Sequence, residues 1–175
     1  MTLAEVNREP FIDKLCERQV LEEAITELYE RAIRHARSEQ DFGQLVEKLV
    51  AFQQQERAHV DMLEQAIRAL GGDPAQMTPS IRVMRAEIAG LAAVCESADI
   101  ALPHVLSALF AGELIDHAGW ELLCDLAREV ELSEEWLRRF EDALREERVH
   151  LAWVRDQLSK ATREEVMATP VPPTA

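Results

Sequence analysis

Apolar side chains recur along most of the chain at spacings that place them on one face of a helix. The clearest stripe consists of Leu45, Leu49, Phe52, Val60, Leu63 and Ile67. Similar stripes predict four long helices, at about residues 11–38, 44–70, 100–130 and 134–160. A shorter stripe at residues 78–96 begins with Thr-Pro-Ser, which favours a helix start, and predicts a shorter helix there.

The breaks between the stripes predict how the helices are connected. Residues 41–43 separate the first predicted helix from the second, and Gly-Gly-Asp-Pro at residues 71–74 ends the second. Two helical hairpins are therefore joined by the shorter helix, which serves as a long crossover. We expect an all-α, up-down-down-up four-helix bundle over residues 1–162 and a proline-rich flexible tail over residues 163–175.

Charge and composition narrow the possible functions. The net charge of −14 argues against binding of nucleic acid or of anionic membrane surfaces. No apolar stretch approaches the roughly 20 residues that a membrane span needs, and no signal-peptide pattern is visible. The three cysteines lack CxxC spacing, which argues against a zinc site and for a reducing compartment. We therefore expect a cytoplasmic protein.

Two copies of a short motif carry the candidate chemistry. Glu56 and His59, and likewise Glu147 and His150, are three residues apart, so each pair shares one helix face. Both pairs coincide with the apolar stripes of their helices, which places them in the core. Because an unpaired buried carboxylate is costly, these side chains need partners, and metal ions would provide them.

An internal repeat identifies further candidates. Each motif residue of the first pair recurs 91 positions later, and Glu113 follows Glu22 by the same interval. Glu22 and Glu113 lie in apolar stripes, whereas Glu23 and Glu27 fall on a polar helix face. The repeat predicts two similar halves that face each other across a pseudo-twofold axis. The predicted metal ligands are Glu22, Glu56, His59, Glu113, Glu147 and His150.

The composition of this set indicates which metals it suits. One glutamate from each of two helices, with Glu-x-x-His from each of the other two, is the ligand set of di-iron and di-manganese bundles. Oxygen-rich ligation with one imidazole per metal suits Fe(II) or Mn(II). We expect two iron ions, with manganese as the alternative. A cluster without metal would require several protonated buried carboxylates.

At these residues the sequence resembles the ferritin-like superfamily, in particular the bacterioferritin and rubrerythrin type of di-iron carboxylate protein. The resemblance covers about residues 11–160. It implies that Glu56 and Glu147 bridge the two metals. The other four ligands would each bind one metal: Glu22, His59, Glu113 and His150.

Departures from these proteins limit what the resemblance implies. Arg57 stands where bacterioferritins place the methionine that binds haem, so we expect no haem. Caged ferritins end in a further short helix, whereas this chain ends in a proline-rich segment, which favours a homodimer over a storage cage. The paired CxxC motifs of a rubredoxin-type module are missing, so electrons would come from an external donor.

Three further residues are candidates beside the ligand set. Tyr29 matches a tyrosine near the site in bacterioferritins, where it would hydrogen-bond a ligand or yield an electron; an ordinary core tyrosine is the alternative. Asp116 and His117 follow Glu113 by three and four positions, and rubrerythrins carry an extra carboxylate at the first of these. Either residue would add a ligand or orient a ligating histidine, unless the two form a polar pair on the helix surface.

The favoured function is oxidation of Fe(II), or reduction of O2 or hydrogen peroxide, at a di-iron centre. A second hypothesis is an oxidase or oxygenase acting on an organic substrate, although bulky side chains fill the predicted site region: Phe52, Phe110, Trp120 and Phe140. The same ligand set is also compatible with a manganese catalase, or with a metal-stabilised structural bundle without turnover.

Overall fold

The computed structural model describes residues 8–38, 43–96 and 100–168, and over these ranges it consists of five helices and their connections. The helices are α1 (Arg8–Ser38), α2 (Gly43–Ala69), α3 (Pro79–Val94), α4 (Leu102–Glu129) and α5 (Glu134–Met167). The all-α prediction is confirmed, and every predicted helix is present. None of the described helices is long and apolar enough to cross a membrane.

The helices pack as two hairpins and a crossover, as predicted. α1 packs mainly against α2, and α4 packs mainly against α5, while α1 and α4 join the two hairpins. α3 contacts α1 and α4, so it lies across the hairpins as their connection. α2 and α5 make the least contact of the packed pairs.

Local signals account for the end of α2 and the start of α3. Gly71 has a φ of 80°, a left-handed conformation that favours glycine. The amide of Gly72 donates to the carbonyl of Ile67 at 2.9 Å, which closes the last turn of α2. The Thr78 hydroxyl accepts from the amide of Ile81 at 3.4 Å and caps α3. The predicted stop and start are therefore confirmed.

The 91-residue repeat is also visible in the secondary structure. Shifted by 91 positions, residues 11–38 of α1 fall within α4, and all described residues of α2 fall within α5. The two hairpins are thus alike in secondary structure as well as in sequence.

α5 is longer than predicted. It continues to Met167, whereas the apolar stripe predicted an end near residue 160 and a flexible tail from Arg163. No proline occurs between residue 160 and Pro170, so nothing local stops the helix there. The three prolines of the predicted tail lie outside the described residues, as do residues 41 and 42 of the predicted first break.

Two apolar clusters fill the bundle on either side of its middle. One joins the start of α1 to the end of α4, around Leu15 and Trp120, and the other joins the end of α1 to the start of α4, around Ile33 and Leu106. The two helices therefore run antiparallel, which produces the predicted up-down-down-up order. On α2, α4 and α5 a buried glutamate separates the residues of one cluster from those of the other, and on α1 the buried Glu22 lies next to the boundary between them.

Candidate metal centre

The structure brings the six predicted ligands together in the middle of the bundle. They form two groups of four, and in each group one ligand atom per residue lies within 4.8 Å of the others. The first group is Glu22, Glu56, His59 and Glu147, and the second is Glu56, Glu113, Glu147 and His150. Glu56 and Glu147 belong to both groups.

All six side chains are buried, and several of their polar atoms lack a hydrogen-bond partner. Glu22, Glu56 and Glu113 each have one such oxygen, and Glu147 has two. The Nδ1 atom of His59 is also without a partner within hydrogen-bond geometry. Buried polar groups without partners are costly, and these face one another across a space that several ligand atoms share. The donor set therefore fits divalent cations.

The two histidines are oriented in matching ways. Nδ1 of His59 lies 3.1 Å from Oε1 of Glu147, and Nδ1 of His150 lies 2.9 Å from Oε1 of Glu56. Each imidazole therefore points Nδ1 at the shared carboxylate of the other half. A nitrogen in that position is available to a metal held between them.

The Nε2 atoms of the two histidines pair with two residues that the sequence pattern did not single out. Nε2 of His59 lies 3.0 Å from a carboxylate oxygen of Glu146, and Nε2 of His150 lies 2.9 Å from the amide oxygen of Gln55. Gln55 and Glu146 are 91 positions apart, and each directly precedes a shared glutamate. The repeat therefore contained a signal for them.

Aromatic donors anchor the two unshared glutamates. The Tyr29 hydroxyl donates to Oε1 of Glu113 at 2.6 Å, and the Trp120 indole donates to Oε1 of Glu22 at 2.5 Å. Tyr29 and Trp120 correspond in the repeat, so each hairpin supplies the donor for the carboxylate of the other. Of the two roles predicted for Tyr29, the structure shows the hydrogen bond to a candidate ligand.

An ion pair beside Glu22 breaks the pseudo-twofold symmetry. Arg18 and Asp116 are both buried; Nη2 of the guanidinium pairs with Oδ1 of Asp116, and its Nη1 donates to the Asp116 carbonyl at 2.7 Å. Nε of Arg18 also lies 3.6 Å from Oε1 of Glu22. Gly119 makes room for the guanidinium, since a Cβ there would overlap it. In the other half, the corresponding residues are the apolar pair Leu109 and Ile25, both fully buried.

The two further candidates on α4 differ in their surroundings. Asp116 is buried against Arg18, although neither four-residue group includes it. His117 is partly exposed, and its Nδ1 lies 3.9 Å from a carboxylate oxygen of Glu121. The structure therefore places Asp116 beside the cluster and His117 away from it.

Comparison with known proteins assigns a family. The model of the family described as domain of unknown function (DUF892) matches residues 6–167, which include all five helices and all six predicted ligands. The chain belongs to the DUF892 family. No curated protein and no solved structure matches the chain.

Burial favours the protonated form of several carboxyl groups in the cluster of this DUF892 chain. Removal from water, together with repulsion from neighbouring carboxylates, raises the pKa of Glu56, Glu113 and Glu147 well above the usual range. Burial acts on Glu22 too, but His59 and Arg18 outweigh it and lower its pKa to about 2. Bound cations would take the place of the retained protons.

The pKa values of the two histidines are shifted in opposite directions. Burial disfavours the charged form of both, yet hydrogen bonds to carboxylates, that of Glu146 first, raise the pKa of His59 above its usual value. The pKa of His150 falls to about 3, because burial and the neighbouring His59 both oppose its protonation. In the metal-free protein the two halves therefore carry different charges.

These shifts predict that the metal-free protein loses stability as the pH rises above 6.5. Unfolded glutamate and histidine release their protons near 4.5 and 6.5, whereas folded Glu56, Glu113, Glu147 and His59 retain protons at higher pH. The folded state then binds more protons, so the free energy of unfolding falls by about 1.4 kcal/mol per pH unit for each proton of difference. Below pH 6.5, His150 makes the free energy of unfolding rise with pH, because the unfolded side chain holds a proton that the folded side chain has released.

Thermal unfolding in the presence of a chelator, at pH 6.5 and at pH 8.5, tests this expectation. The metal-free protein should have the lower Tm at pH 8.5. Protein saturated with Mn(II) is the control and should show no such loss, because metal binding displaces the protons and strengthens with pH. An unchanged or higher Tm of the metal-free protein at pH 8.5 would refute the expectation.

Proposed function

We propose that this chain is a dinuclear metal protein of the ferritin-like type that binds two iron ions and oxidises Fe(II) with O2 or peroxide. One observation carries the proposal: four buried carboxylates from four helices converge with five oxygens that lack hydrogen-bond partners. Two divalent cations would satisfy these oxygens and balance the four negative charges.

In this proposal Glu56 and Glu147 would help to hold both ions. Glu22 and His59 would complete one position, and Glu113 and His150 would complete the other: the two four-residue groups support this division. The bound iron would supply one electron per ion to the oxidant. An external donor would return the electrons, unless Fe(II) itself is the substrate.

The surrounding residues would keep the ligands in place and water out. Tyr29 and Trp120 hold one oxygen of Glu113 and one of Glu22, which leaves the second oxygen of each free to bind metal. The centre of the Phe52 ring lies 4.1 Å from the centre of the His150 ring, and the centre of the Trp120 ring lies 5.4 Å from that of His59. These aromatic rings cover the histidines with apolar surface. A redox role for Tyr29 belongs to the proposal as well, since its hydroxyl is hydrogen-bonded to a candidate ligand.

Access for a small oxidant is proposed between α2 and α5, the helices in least contact. A groove of 430 Å³ there is lined by Lys48, Phe52, Gln55, Asp142, Arg145, Glu146 and Val149. Gln55 and Glu146 separate this groove from the two histidines. Absence of haem, homodimer formation and a cytoplasmic location remain predictions from the sequence.

Aerobic titration with Fe(II), followed by near-ultraviolet absorbance and O2 consumption, tests the proposed function. We expect absorbance to rise until two Fe(II) per chain have been added, and substitution H150A to remove that break. His117 provides the matched control, because it lies outside both ligand groups and substitution H117A should leave the titration unchanged.

The same titration distinguishes the di-iron proposal from the competing functions. No break at two equivalents, or an unchanged break in H150A, would overturn the di-iron proposal. Metal binding without consumption of O2 or peroxide would favour a structural bundle, and release of O2 from peroxide by the manganese form would favour a catalase.

A further inference from the structure

The two metal positions differ in what lies behind their histidines. A carboxylate, Glu146, faces Nε2 of His59, whereas an amide, Gln55, faces Nε2 of His150. Both residues occupy the same position of the 91-residue repeat, so they form a natural pair for comparison at otherwise similar sites.

We propose that the Glu22–His59 position binds its metal ion more tightly than the Glu113–His150 position, and that Glu146 is the positioning residue that sets this order. The inference rests on the proposed metal centre and adds an order of filling to it. Both positions share Glu56 and Glu147, so the difference must come from the unshared ligands and their neighbours.

The hydrogen bond to Glu146 strengthens His59 as a ligand. A carboxylate that accepts a hydrogen bond from Nε2–H places a negative charge next to the ring. That charge makes Nδ1 a better electron donor, and the hydrogen bond fixes the tautomer and the ring orientation. The neutral amide oxygen of Gln55 fixes the orientation of His150 but adds no charge. Because 43% of the Glu146 side chain is exposed, water weakens its effect, and we expect a difference of about tenfold.

Charges around the two positions act in the same direction. On the Glu22 side, Arg18 lies 3.6 Å from Oε1 of Glu22, but its ion pair with Asp116 offsets its positive charge. Oδ2 of Asp116 is a further buried oxygen without a hydrogen-bond partner on that side. On the other side, the Lys48 ammonium lies 4.4 Å from the centre of the Phe52 ring, which itself packs 4.1 Å from His150. A positive charge near His150 opposes binding of a cation there.

The test uses Co(II), which does not turn over with O2 in this titration, and calorimetry on the full chain. Substitution H150A leaves the Glu22–His59 position, and substitution H59A leaves the other, so each can be measured alone. We expect H150A to bind one Co(II) about tenfold more tightly than H59A does. Adding E146Q should weaken binding about tenfold in the H150A background and leave binding by H59A unchanged.

Substitution D142N is the matched control for E146Q. Asp142 lies in the same groove, and its substitution removes the same charge, but Asp142 pairs with Arg145. The histidine Nε2 atoms pair with Glu146 and Gln55 instead. D142N should leave the Co(II) affinity of each position within about twofold of its value without that substitution. E146Q in the otherwise unchanged protein should weaken the tighter of two binding steps, which tests the inference even if a histidine variant fails to fold.

Two equal binding steps, or equal effects of E146Q and D142N, would overturn the inference while leaving the metal centre intact. Absence of any Co(II) binding by the unchanged protein would instead count against the proposed function itself. Tighter binding by H59A than by H150A would reverse the order and also overturn the inference.

Discussion

Substitution E147Q is expected to abolish tight binding of both metal ions. Glu147 contributes to both four-residue groups, and neither of its carboxylate oxygens has a hydrogen-bond partner. Glutamine is neutral and offers one acceptor oxygen instead of two, so both positions lose a charged ligand. Calorimetric titration with Co(II) should show affinity at both positions reduced by at least about 100-fold.

The control for this substitution lies on the same helix. Glu164 is exposed and 3.9 Å from the ammonium of Lys160, far along α5 from the cluster, so E164Q should bind two ions as before. Metal-free E147Q should unfold at the same or a higher temperature, because burial raises the pKa of the carboxyl group that it replaces. Two ions bound by E147Q with unchanged affinity would contradict the shared role of Glu147.

Substitution R18A is expected to lower the free energy of unfolding of the metal-free protein by about 3–5 kcal/mol. It leaves the carboxylate of Asp116 buried without its guanidinium partner and opens a space against Gly119. Denaturant unfolding would measure the loss. Arg68 is exposed and pairs with the partly exposed Glu64, so R68A is the control and should cost less than about 1 kcal/mol.

The repeat supplies a sharper variant of this experiment. Arg18 and Asp116 correspond to Leu109 and Ile25, which are buried and apolar. Double substitution R18L/D116I therefore copies the other half, and it should recover most of the stability that R18A loses, because an apolar pair needs no ionic partner. A double variant as unstable as R18A would show that the loss comes from packing around Arg18 rather than from the unpaired charge.

Much of the candidate site could be predicted from the sequence because helical phase is a local property. The spacing between Glu56 and His59 places both on one face, and the apolar stripe around them makes that face the buried one. The repeat then selected Glu22 rather than Glu23, and the structure buries Glu22 fully. Assignment of the six residues as metal ligands remains a proposal.

Gln55 and Glu146 were missed because their neighbours are set by packing between helices. Each precedes a shared glutamate, so on its own helix it points about 100° away from that residue. Only the approach of α2 to α5 shows that each reaches the histidine of the other helix. Arg18 was missed for a different reason: its counterpart in the repeat is Leu109, so the repeat itself predicted an apolar residue.

The spacing of apolar and polar residues in the sequence determined the helices and the residues that face the core, because both follow from periodicity along one helix. Comparison of the two halves of the sequence determined the duplicated hairpin. Tertiary structure alone decided which atoms meet. It paired Tyr29 with Glu113 and Trp120 with Glu22, and it set a carboxylate behind one histidine and an amide behind the other. Such contacts join residues on different helices, and their geometry depends on how the helices pack rather than on the spacing within any one of them.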